Sequence, residues 1–186
     1  MTTDLRNCLD VLNSGGLILY PTDTIWGLGC DATNSTAIQN IYDLKGRVNN
    51  KALITLVSSE YMLEKTVKNM PDIAWDLIEQ SVRPLTIIYD EVSSISANAL
   101  AENGSCGIRL VKNGFCHELI NRFGKPIIST SANVSGTESP RKFSEIDNSI
   151  LNGVNYVVNF GQNDTTHNKA SNIIKLSNNG EVKIIR

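Results

Sequence analysis

The feature that most constrains this chain is the length of its apolar runs. Leu17-Ile-Leu-Tyr20, held between Gly15-Gly16 and Pro21, is too short for a helix and reads as a strand ending at the proline. Ala52 to Val57, Leu85 to Tyr89, Gly107 to Val111, Ile127-Ile128, Tyr156 to Phe160, Ile173 to Leu176 and Val182 to Ile185 are of the same kind. None approaches the roughly 18 residues that suggest a membrane span. The intervening segments carry a helical period instead. Leu5, Cys8, Leu9 and Leu12 recur at i, i+3, i+4 and i+7, which predicts an amphipathic helix over 3–13 stopped by the glycine pair. Asn34 or Ser35 can cap a second helix with Ala37, Ile38, Ile41, Tyr42 and Leu44 on one face, ending near Lys45-Gly46. Further helices are predicted from Ser58-Ser59-Glu60 through Val67, from Pro71-Asp72 to before Arg83-Pro84, from Phe115 to Phe123 and from Ser144 to Leu151. Residues 90–105 predict no element. Strands and helices mingle without a regular βαβ period, and Asn179-Gly180 closes an antiparallel hairpin. The expected fold is therefore α+β, a twisted mixed β-sheet with flanking helices, in one domain over 1–186.

Composition removes several function classes. The 17 basic and 19 acidic residues leave a net charge of −2, so no global field draws the molecule to nucleic acid or to an anionic membrane. Any cationic site must be local. Cys8, Cys30, Cys106 and Cys116 form no C-x-x-C pair and only His117 and His167 accompany them, which argues against zinc and against a dithiol redox motif. The N-terminus lacks the basic and apolar regions of a secretory leader, so a cytoplasmic protein with reduced thiols is expected.

One stretch gathers cations between two predicted strands. Lys45, Arg47 and Lys51 fall within seven residues, at or beyond a helix end. Such a run reads either as a solvated basic turn or as an anion site. Hydroxyls stand twice at strand ends, at Thr22/Thr24 and at Ser129/Thr130/Ser131, and hydroxyls with backbone N–H groups fix phosphate oxygens. Arg109 lies inside the apolar run Gly-Ile-Arg-Leu-Val, and a charge in a buried strand needs a carboxylate, from the protein or from a substrate. Gly27-Leu-Gly29-Cys-Asp-Ala32 has the G-x-G-x-x-A spacing of a dinucleotide turn, but it follows a proline-containing turn and no acidic residue lies near position 50. Backbone geometry is the better reading of its glycines. No Walker A sequence and no G-x-S-x-G occur.

Together these residues resemble the YrdC/Sua5 family of L-threonylcarbamoyladenylate synthases. The matching elements are Tyr20-Pro-Thr-Asp-Thr24 with Gly27 and Gly29, Lys45-x-Arg47 with Lys51, Gly107-Ile-Arg109, and Ser129-Thr-Ser-Ala-Asn133-x-Ser-Gly136. The resemblance runs in order from about Gly16 to Leu176. It implies a YrdC-like domain with a concave cationic cleft, and an enzyme that condenses L-threonine, bicarbonate or CO2, and ATP to threonylcarbamoyl-AMP and pyrophosphate. The product would pass to the tRNA threonylcarbamoyl transferase machinery; direct tRNA binding is not favoured. By the same resemblance Lys45, Arg47 and Lys51 bind the ATP phosphates, with Lys45 and Arg47 as catalytic residues, while Ser131 and Asn133 hold the nucleotide. Ser105, Ser139 and Arg186 join the ATP side by spacing. Thr24, Arg109, Ser129 and Ser171 are the threonine positions, with Arg109 on the carboxylate. Magnesium is expected with ATP, held by the triphosphate and water rather than by protein ligands. Leu56 stands where many members have histidine, and Val48 and Ala52 replace prolines. The rival readings are a YrdC-like RNA-binding module and a carbamoyl-transfer domain of the hydrogenase-maturation type.

Overall fold

The computed structural model describes residues 1–46, 53–164 and 169–186. Arg47, Lys51 and His167 lie outside the described residues, as do Val48 and Ala52. In chain order the elements are α1 (Thr2–Asn13), β1 (Ile18–Tyr20), β2 (Gly27–Asp31), α2 (Ser35–Leu44), β3 (Ile54–Val57), α3 (Glu60–Thr66), α4 (Ile73–Gln80), β4 (Leu85–Tyr89), β5 (Cys106–Leu110), α5 (Gly114–Phe123), β6 (Ile127–Ser131), α6 (Asn148–Gly153), β7 (Tyr156–Val157), β8 (Asn172–Leu176) and β9 (Val182–Ile184). Short 3-10 turns occupy Ala97–Ala99 and Phe143–Glu145.

The strands form one sheet in the order β7-β1-β2-β6-β3-β5-β4-β8-β9. The pairs β1/β7, β3/β5 and β4/β8 are parallel and the other five antiparallel, so the sheet is mixed. Side chains of successive strand residues point to opposite faces, and β6 shows how this divides the core. Ile127 packs with α1 and α5 through Leu5, Cys8, Phe115, Leu119 and Ile120. Its neighbour Ile128 packs with α2 through Ile38, Ile41 and Tyr42. A third cluster joins α3 and α4 to β4 and β5 through Leu63, Ala74, Ile87 and Ile108. The α+β expectation holds.

Four local outcomes differ from the pattern reading, each for a physical reason. Gly27–Asp31, where the pattern predicts no element, is a strand seated antiparallel between β1 and β6. Its glycines are close-approach positions: a Cβ on Gly29 would stand 2.5 Å from the Ile128 carbonyl oxygen and 2.7 Å from Tyr20 Cε1. β6 continues through Ser129 to Ser131, because those hydroxyl residues pair with Gly29, Leu28 and Gly27. The helix expected over 144–151 begins at Asn148, where Asp147 caps it by accepting from Ser149 N at 2.7 Å. The strand expected to reach Phe160 stops at Val157; Val158 N still donates to the Leu19 carbonyl, and Asp4 then takes over the amides of Asn159 and Phe160.

That carboxylate, 5% exposed, accepts from Asn159 N (3.0 Å), Asn159 Nδ2 (3.2 Å) and Tyr156 Oη (2.7 Å) on Oδ1 and from Phe160 N (3.2 Å) on Oδ2. Burial pushes its pKa up, and the hydrogen bonds from Asn159, Tyr156 and Phe160 outweigh that and hold it below the usual carboxylate range. Its contribution to stability is thus present above the unfolded carboxylate pKa and is lost as pH falls.

Candidate functional site

A cavity of about 240 Å³ crosses the middle of the sheet, from β2 through β6, β3 and β5 to the start of β8. Its wall gathers seven of the expected residues. Thr24, Arg109, Ser129 and Ser171 come from the threonine set, and Ser131, Ser139 and Arg186 from the nucleotide set. They are up to 162 positions apart in the chain, the separation of Thr24 from Arg186.

Arg109 is the buried charge of this cavity. It sits on β5 with Leu56 of β3 opposite in register, and its side chain is 5% exposed. The carboxylate that such a burial demands is Asp23, whose Oδ1 accepts from Nη2 at 2.9 Å. Nη2 also faces Thr24 Oγ1 at 3.4 Å, and Nε is buried without a partner. Leu56 supplies no polar atom there; it is fully buried among the α1/α5 cluster and does not line the cavity.

The turn after β1 is ordered by its own hydroxyls. Thr22 Oγ1 donates its single proton to the Ile25 carbonyl at 2.7 Å. In the Thr22–Thr24 contact, at 2.9 Å, Thr24 is therefore the donor. Thr24 Oγ1 then keeps its lone pairs for Arg109 and for whatever enters the cavity. Across the cavity, Ser171 and Thr86 share a hydrogen bond at 2.8 Å. Arg186 donates to the Ser171 carbonyl from Nε (3.3 Å) and Nη2 (3.2 Å), which brings the 186 end of the chain onto the wall.

Three described residues of the expected set lie off the wall. Ser105 precedes β5 and donates to Asn103 Oδ1 at 2.7 Å within a local turn. Lys45 caps the C-terminal end of α2, with Gly46 at φ +56° ending the helix, and its ammonium turns toward the carbonyls of Ser131 and Asn133. Asn133 spends its amide on Thr137 and Val134 carbonyls. Among the described residues the cavity carries two cations, Arg109 and Arg186, and the first is neutralised by Asp23. The expected cationic cleft is thus not shown by the described residues, and Arg47 and Lys51 lie outside them.

Asp23 and Gly27, present in the sequence motif without an assigned role, and Trp26, outside it, also shape the site. Asp23 could have been found as an acid inside the hydroxyl-rich turn, given that Arg109 required one. Trp26 packs against Phe143 with ring centroids 4.9 Å apart and forms part of the wall. At Gly27 an added Cβ would stand 2.8 Å from Ser129 Oγ and 3.0 Å from Thr22 Cγ2, so only glycine leaves this wall open. None of the four cysteines offers a thiolate at neutral pH. Burial, with Asp4 nearby, pushes Cys8 up to about 12, burial pushes Cys106 up to about 11 against a Thr55 hydrogen bond, and Cys30 and Cys116 rise further. Among the described residues no group of three or more metal-ligating side chains occurs and no helix is long and apolar enough to cross a membrane.

Residues 10–186 match the Sua5/YciO/YrdC family model, whose description reads "Telomere recombination". A threonylcarbamoyl-AMP synthase of Aliivibrio fischeri is 33% identical over 153 residues, covering 77% of this chain and 80% of that protein. One of Acinetobacter baumannii is 29% identical over 164 residues, covering 84% and 87%. P. abyssi Sua5, solved in complex with L-threonine, superposes with a TM-score of 0.82 at 25% identity, over 92% of this chain. The chain spans about half (50%) of that Sua5 chain. E. coli YciO has the same fold, with a TM-score of 0.85 at 19% identity over 100% of this chain and 89% of its own.

Proposed function

The chain belongs to the Sua5/YciO/YrdC family, and on that premise we propose that it is an L-threonylcarbamoyladenylate synthase, with residues 1–186 acting as one catalytic domain. What supports this reading is the convergence of Arg109, Thr24, Ser129 and Ser171 with Ser131, Ser139 and Arg186 on the lining of one cavity. A guanidinium suits an amino-acid carboxylate, and the hydroxyls around it suit the amine and hydroxyl of threonine. Ser131, Ser139 and Arg186 then face the nucleotide, and by the family resemblance Arg47 and Lys51 supply charge against the triphosphate.

The chemistry asks little of acid–base groups. The threonine nitrogen adds to CO2, and a carbamate oxygen attacks the α-phosphorus while the bond to pyrophosphate breaks. Hydroxyls and guanidinium groups hold the reactants in line and stabilise the leaving pyrophosphate. Magnesium would arrive with ATP, since the wall offers hydroxyls and guanidinium groups rather than a carboxylate cage. The product would serve the threonylcarbamoyl modification of tRNA in the cytoplasm.

Calorimetric titration of amino acids into the protein with ATP present tests the assignment. Threonine is expected to bind at least about tenfold tighter than alanine, because a site built for a hydroxyl is left unpaired by an analogue lacking one. Absence of threonine binding, together with RNA affinity that falls steeply with salt, would transfer the reading to an RNA-binding module.

A further inference from the structure

The carry-over from the family puts Lys45 on the ATP phosphates, but its surroundings give it different work. The side chain is 3% exposed and takes no part in the cavity wall. Its ammonium donates to the Ser131 carbonyl and the Asn133 carbonyl, each at 2.5 Å, with Asn133 Oδ1 at 3.5 Å. Among the described residues these acceptors all belong to one turn. The backbone joins in, since the Lys45 carbonyl accepts from Ser135 N at 2.9 Å. Asn133 completes the turn: its Oδ1 accepts from Ser131 Oγ at 2.5 Å and its Nδ2 donates to the Thr137 carbonyl at 2.7 Å.

We propose that Lys45 is a positioning residue that acts on the nucleotide only through the turn from Ser131 to Thr137. Two main-chain carbonyls converge at the end of β6, beside a wall assigned to an anion. Left alone they would present negative potential to it. The ammonium between them removes that obstacle, satisfies two part-buried acceptors and fixes the turn against the end of α2. Ser131 is then the member of this assembly that reaches the cavity. A nucleoside 5′-phosphate is the ligand class, and its phosphates are touched by cations other than Lys45. This assignment rests on the reading of the cavity as a nucleotide site.

Two readouts on Lys45→Met test it: titration with AMP, ATP and pyrophosphate, and amide hydrogen exchange without ligand. The expected result is an equal loss, about tenfold, in affinity for AMP and for ATP, as for removal of a supporting residue. Exchange over 131–137 should quicken while α1 is unchanged, and Lys45→Arg, which keeps the donors, should recover most of both. Loss confined to ATP and pyrophosphate with exchange unaltered would make Lys45 a direct phosphate ligand and overturn the proposal, as would no change in either readout. If Lys45→Met does not fold, the wild-type ammonium 15N resonance decides, since it should hold its position on adding pyrophosphate and a shift would refute the assignment. Wild-type protein that binds neither AMP nor ATP would overturn the nucleotide reading itself, whereas a Lys45→Met failure beside a binding wild type concerns this proposal alone.

Discussion

Replacing Arg109 with alanine is expected to lower kcat/KM for threonine by about 10³-fold and to destabilise the protein by about 3–5 kcal/mol. Both effects come from one guanidinium. Truncating one partner of a buried, hydrogen-bonded charge pair costs 2–5 kcal/mol or more, and about 4 kcal/mol corresponds to the stated loss in turnover at low threonine. The stability term arises because Asp23, 15% exposed, is left as a charge without its cation. A double substitution separates the two roles. Removing Asp23 together with Arg109 should return much of the lost stability in a denaturant melt, while activity stays low because the substrate carboxylate still lacks its partner. If Arg109→Ala retained threonine turnover within a few-fold, Arg109 would be a structural ion pair only.

Gly29→Ala should act on the fold rather than on the chemistry. Its new Cβ would meet the Ile128 carbonyl and the Tyr20 ring, and the carbonyl is main chain that cannot swing aside. β2 would have to move off β6 across a sheet interior, an overpacking that costs about 3 kcal/mol. For a chain of this size that lowers Tm by roughly 6–12 °C. Gly27→Ala meets only side-chain atoms, Ser129 Oγ and Thr22 Cγ2, so its melting point should change far less while the cavity narrows. Equal melting points for Gly29→Ala and wild type would show that the β2–β6 spacing is not set by the glycine.

These two glycines also mark where sequence patterning stops being informative. Helices α1 and α2 are legible because apolar residues recur with a helical period beside a cap or a stop, and Asn34 accepts from Ala37 N as that position requires. Strands β4 and β5 and the terminal hairpin were legible as short bounded apolar runs. Gly27–Asp31 has no such alternation, because its glycines are dictated by Tyr20 and Ile128 on neighbouring strands. Likewise Ser129 to Ser131 reads as a polar loop until β2 is known to pair with it. At the site, a lone Arg inside an apolar run announced Arg109, but its partner Asp23 is 86 positions away and could be specified only as a carboxylate. The direction of Lys45 was not legible at all. A cation at a helix end can face a ligand or its own backbone, and only the approach of β6 to α2 decides between them.

The central claim is that one cavity couples threonine, a carbon dioxide equivalent and ATP. The most direct test is pyrophosphate release from ATP with threonine and bicarbonate each supplied or withheld, followed by mass detection of the nucleotide product. Release is expected to require both, with threonylcarbamoyl-AMP accumulating. Release that is indifferent to threonine, or a complete mixture that yields no adenylate, would contradict it.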